Sequence, residues 1–87
     1  MNSDGVRSSG GDTLVNIEIE GMWRRVTLTP EAIDRYLLLT TEAAAAMSPE
    51  QRCDFVRGNL AYVFAAARRV ISRTADARRI TIRSGEL

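Results

Sequence analysis

The chain contains no lysine and no histidine; all twelve of its basic residues are arginine. Without lysine there is no amine for a Schiff base or for a P-loop-type phosphate grip. Without histidine the usual general base and the commonest metal ligand are missing. The single cysteine, Cys53, excludes an internal disulfide and, with no histidine beside it, the common zinc sites. Its position near a helix start favours a thiolate, but no base is there to activate it, so it reads as a buried structural thiol. No apolar run approaches the ~18–20 residues of a membrane span. The opening stretch "MNSDGVRSSGGDT" has no apolar core of the kind a secretory signal needs. These absences lead us to expect a cytoplasmic, cofactor-free protein with no membrane contact. Two strand carboxylates, Glu18 and Glu20, are neighbours but are expected on a solvated face, so no enzyme is expected either.

What is present suits one small domain. The 87 residues are 45% hydrophobic and 26% charged, ordinary values for a globular chain. A chain of this size buries only roughly 60–65% of the surface that it exposes unfolded, so the core is thin. The net charge of +1 hides a division. Residues 1–50 carry four arginines against eight acids, net −4, and residues 51–87 carry eight against three, net +5. Such a split provides either a basic binding face or an attraction between the two halves, or between two copies.

Residues 1–12 are rich in Ser, Gly and Asp without periodicity and read as a disordered tail. The pair Gly10-Gly11 is no phosphate loop, since no helix follows it. The folded domain is expected over 13–87. In "TLVNIEIEGMWRRVTL", Val15, Ile17 and Ile19 alternate with polar residues, and Gly21-Met22 forms a two-residue turn of type II′. That register sets Ile19 opposite Arg24, Glu18 opposite Arg25 and Ile17 opposite Val26. Thr29-Pro30-Glu31 then opens a helix with a capping residue, a proline at its first position and an acid at its positive end. This helix ends either near Leu39, at the paired threonines Thr40 and Thr41, or near Met47. Leu38 points away from its apolar face.

"SPEQ", residues 48–51, is a capping box. It starts a helix running to about Thr74, unbroken or bent near Gly58. Cys53, Val56, Leu60, Val63, Ala67 and Val70 make its core stripe, while Phe55, Gly58, Tyr62, Ala65 and Arg69 line its back. Unbroken, it measures about 39 Å at ~1.5 Å per residue, against ~23 Å for a seven-residue strand. Its back must then meet the first helix, another subunit or solvent. Residues 79–83, "RITIR", read as a third strand with Ile80 and Ile82 inward. The expected fold is α+β in two layers, a small antiparallel sheet on a long helix with the shorter helix alongside.

Two surfaces are candidates for function. Phe55, Tyr62 and Leu38 are the expected contacts of a non-catalytic binding or assembly module, self-associating or docking another protein. A nucleic-acid-binding module is the alternative. It would use Trp23, Arg24 and Arg25 on the hairpin and Arg68, Arg69 and Arg73 at the helix end, where Arg78, Arg79 and Arg83 join them into one basic cluster. Total charge near zero counts against strong phosphate binding. A helix-turn-helix is not favoured, because its second helix is apolar where a reading helix faces DNA.

The segments "IEGMWRRVTLTPEAID", "SPEQRCDFVRGNLAYVFAAARRVI" and "ITIRSGEL" resemble the DUF1488 family of small bacterial proteins of unknown function, over residues 15–86. Glu20 stands where the family pattern has Asp, and Arg69 where lysine is usual. The resemblance implies a hairpin, two helices and a final strand, and no enzyme activity.

Overall fold

A computed structural model describes residues 2–3, 5–73 and 78–87. The chain runs β1 (Asn2–Ser3), β2 (Arg7–Ser9), β3 (Asp12–Ile19), β4 (Met22–Leu28), α1 (Pro30–Tyr36), α2 (Thr41–Ala46), α3 (Pro49–Gly58), α4 (Leu60–Ile71) and β5 (Arg79–Ile82). The α+β class and the two layers are as expected. One sheet has the order β1-β3-β4-β5, with β2 beside β3 as well, and the helices lie on one of its faces.

The sheet is mixed, which corrects the all-antiparallel expectation. β5 lies parallel to β4, Val26 against Ile80 and Leu28 against Ile82. A parallel neighbour needs a long crossover to return the chain to the same end of the sheet, and the helical layer between β4 and β5 supplies it. Backbone bonds from Arg25 N to the Arg78 carbonyl (2.8 Å) and from Thr29 N to the Ile82 carbonyl (3.1 Å) fasten the two ends of the pair.

The expected disordered tail is also corrected, apart from Met1 and Asp4, which lie outside the described residues. Arg7–Ser9 pairs antiparallel with Asp12–Leu14. Gly10 and Gly11 form the intervening two-residue turn at φ 58° and 90°, the left-handed pair that a hairpin favours and that glycine adopts freely. Val6 packs against the core, and its carbonyl accepts a bond from Arg57 Nη2 at 3.2 Å.

The β3–β4 hairpin turns one residue earlier than expected, at Glu20-Gly21, both with positive φ (56° and 77°). Ile19 therefore faces Met22, Ile17 faces Arg24 and Val15 faces Val26. The slip is two residues in pairing, so every side chain keeps its face. The expected Glu18–Arg25 pair is lost, because Glu18 now stands opposite Trp23 and Arg25 opposite Asn16.

The two expected helix starts follow the sequence, and Thr40 caps a further helix, α2, that was not expected as a separate element. The hydroxyl of Thr29 accepts from Ala32 N at 3.2 Å, that of Thr40 from Ala43 N at 3.1 Å, and Ser48 and Gln51 form the reciprocal capping box. α1 stops at Tyr36. Leu39 N bonds the Asp34 carbonyl and Leu38 N that of Arg35, a Schellman ending with Leu38 in its left-handed position at φ 55°.

The long helix is two helices. Asn59, at φ −133° and ψ 32°, leaves the helical region, and its side-chain Nδ2 donates to the Phe55 carbonyl at 2.8 Å. An asparagine after a glycine is suited to this, since its amide competes with the backbone ladder and glycine holds a helix weakly. At ~1.5 Å per residue the two pieces measure about 15 and 18 Å, within reach of a seven-residue strand. The excess length expected of an unbroken helix does not exist. The expected helix end near Thr74 lies outside the described residues.

Between the layers Val15, Ile17, Ile19, Val26, Leu28, Ile33, Val56 and Val63 are fully buried, each side chain contributing about 1.5–3 kcal/mol over exposure. Ile80, Ile82, Ala66 and Ala67 complete the cluster, with Leu60, Phe64 and Val70 partly buried at its margin.

Candidate functional site

Two surfaces stand out, one on each layer. On the helical layer, Tyr36 at the end of α1 brings together residues from α3 and α4. Its ring lies 5.5 Å from that of Phe55 and 6.1 Å from that of Tyr62, both tilted near 50°, the offset arrangement aromatic pairs prefer. Phe55 is half-buried and Tyr62 is 60% exposed. The back of the expected long helix thus does meet the first helix, through Tyr36, and still shows an aromatic surface to solvent.

Leu38 follows two residues later and is 87% exposed. Beside it is a hollow of about 350 Å³ lined by Leu37, Leu39, Ala43, Ala46, Met47 and Gln51. Arg52, next in the chain to Gln51 of that lining, holds the neighbouring helices. It is buried, and its guanidinium donates to both Asp34 carboxylate oxygens at 3.1–3.2 Å and to the Ala44 and Met47 carbonyls at 3.1 Å. One arginine therefore caps the end of α2 and ties it to α1 and α3. Sequence reasoning missed this tie and the hollow. The readable signal was Thr40, whose hydroxyl caps the start of the alanine-rich α2.

The expected basic cluster splits. Arg69 Nη2 donates to the Glu86 carbonyl at 3.2 Å, and Arg73 pairs with the Glu86 carboxylate at 2.7 Å. Arg68 reaches Glu20 at 3.9 Å and lies over the Phe64 ring at 5.9 Å. Arg68 and Arg69 of α4, with Arg73 just beyond its end, thus serve the C-terminal segment and the hairpin turn. Glu86 also accepts from Arg83 N, and this bond, followed by the hydrogen bond and then the charge of Arg73, holds its carboxyl below the ordinary glutamate range.

Arg24 was expected at the surface and is corrected: it is buried at 4% exposure on the helix-facing side, its Nε 3.4 Å from the Ile19 carbonyl. Trp23 and Arg25, by contrast, point to the open side, Trp23 at 49% exposure. A depression of about 420 Å³ is lined there by Asn16, Trp23, Arg24, Arg25, Arg78 and Arg79. Asn16, Arg25 and Arg79 stand in register across β3, β4 and β5. Only the parallel placement of β5 puts Arg79 beside Arg25, and strand order is not readable from local pattern.

Neither surface carries an evident reaction centre. Cys53 is buried, and desolvation raises its thiol pKa, which keeps it protonated and unreactive. Among the described residues no group of three acids or thiols is placed to hold a metal ion, and no helix is long and apolar enough to cross a membrane. No protein-family model, no curated protein and no solved structure matches this chain.

Proposed function

We propose that the protein is a small non-catalytic assembly module that pairs with a second copy of itself through its helical face. The observation that carries this reading is the exposed Leu38 knob beside an apolar hollow of the same surface. An isologous two-fold contact needs a surface complementary to itself, and a knob next to a hollow is that surface. A leucine held in the left-handed region costs about 1–2 kcal/mol; burying it against a partner offsets that. The Tyr36–Tyr62 surface continues the patch, and α2, with four successive alanines, permits close approach.

The non-catalytic part of the reading is supported by the missing histidine and lysine and by the protected thiol. A reduced single cysteine suits the cytoplasm, where we place the module. The resemblance to the DUF1488 family rests on the sequence motifs alone and adds no activity.

Light scattering tests the pairing. The native chain is expected at twice its monomer mass, and both Tyr62→Glu and Leu38→Gly at the monomer mass. The second variant removes the knob while relieving its backbone, so it stays folded. A native protein that is monomeric up to high concentration sinks the proposal.

A further inference from the structure

We infer that the open face of the sheet binds single-stranded nucleic acid, with a base stacked on Trp23 and the backbone phosphates among Arg25, Arg78 and Arg79. This site is separate from the helical face and does not rest on its role in pairing.

Charge and shape both point there. The helices cover one face of the sheet, and Asn16, Trp23, Arg25 and Arg79, which line the depression, alternate onto the other. Among the described residues no carboxylate forms an ion pair with Arg25, Arg78 or Arg79, whereas Arg52, Arg57, Arg68 and Arg73 each have an acidic partner. Guanidinium groups on neighbouring strands repel one another, and an anion between them relieves that repulsion. Trp23 gives the depression a half-exposed aromatic edge, which a bare phosphate site has no use for and a base stacks upon. Asn16, in register with Arg25 and Arg79, supplies an amide with both donor and acceptor for a base edge. Among the described residues the strand acid nearest the depression is Glu18, opposite Trp23 and one pairing step from Arg25. An open, strand-lined trough admits a chain lying across it, where a free small ligand is usually enclosed.

Trp23 is the only tryptophan in the chain, so its fluorescence reports on this site alone. The full chain is titrated with a thymidine oligonucleotide and, separately, with inorganic polyphosphate, at about 50 and 200 mM salt. The oligonucleotide is expected to quench Trp23 and to lose about tenfold in affinity at the higher salt, as two or three phosphate contacts on a single strand require. Polyphosphate is expected to bind more weakly and leave the emission unchanged. Arg25→Ala with Arg79→Ala, both exposed and checked for fold by circular dichroism, should weaken binding roughly tenfold and flatten the salt dependence by about 0.7 units of slope per arginine. Trp23→Leu, read with a labelled oligonucleotide, should lose about fivefold or more. Leu38→Gly, on the other layer, should bind as the native chain does. Absence of quenching at low salt overturns the inference, as does equal binding by polyphosphate or unaltered affinity in the double arginine variant.

Discussion

Thr13 faces the core from β3, where its hydroxyl oxygen is buried with no hydrogen-bond partner among the described residues. Its polar neighbour is the Cys53 thiol, a weak partner at best. A buried hydroxyl without a bond costs about 1–3 kcal/mol. Thr13→Val keeps the shape and the β-branch and removes the oxygen. We expect it to stabilise the fold by about 1 kcal/mol, a rise of roughly 4–8 °C in melting temperature for a domain of this size. A fall would mean that the thiol contact contributes more than the desolvation it leaves. Leu38 shows the opposite kind of cost, a side chain in water on a left-handed backbone, and such residues gather where a partner completes the structure.

At the level of elements, the break between α3 and α4 decides how the helical layer fits the sheet. Gly58 ends α3 in the open, and a Cβ added there would meet nothing within 4 Å. Its role is therefore to be a poor helix former beside Asn59, not to allow a close approach. Gly58→Ala should stabilise the protein by roughly 0.5 kcal/mol, seen as a higher denaturant midpoint with unchanged slope. If stability drops instead, the break depends on the freedom of Gly58 rather than on the side-chain bond of Asn59 to Phe55. Where chemistry was local, the sequence was readable. Thr29, Thr40 and Ser48 cap three helices because each hydroxyl finds an amide three residues on. Gly10-Gly11 was equally local and equally readable as a hairpin turn. It was overlooked because the three-residue strand before it is too short to show alternation.

Across the whole molecule, ion pairs join the acidic first half to the basic second half: Asp34 with Arg52, Glu50 with Arg57, and Glu20 with Arg68. The attraction between halves suggested by the charge division is thus partly realised inside one chain. The C-terminal segment adds another closure, Glu86 holding Arg73 just after α4 and Arg83 N after β5. Because the folded carboxyl titrates below its ordinary value, its contribution is full above the unfolded-state pKa. It disappears as pH falls through the folded one. Glu86→Gln should therefore lower stability at neutral pH and match the native chain once the pH has fallen below the folded carboxyl's pKa, as pH-dependent melting will show. Equal stability of the two at pH 7 would mean that the closure carries no weight.

The sequence by itself determined the β3–β4 hairpin, the starts of α1 and α3, the strand β5 and the apolar side of each, because capping, turn chemistry and alternation act over two to four residues. Tertiary structure alone decided that β5 runs parallel beside β4, that Arg24 turns inward while Arg25 joins Arg78 and Arg79, and that Arg52 reaches Asp34. Those outcomes hang on strand order and on helix placement, set by how the whole core closes, and contacts across dozens of residues leave no mark on a short stretch of chain.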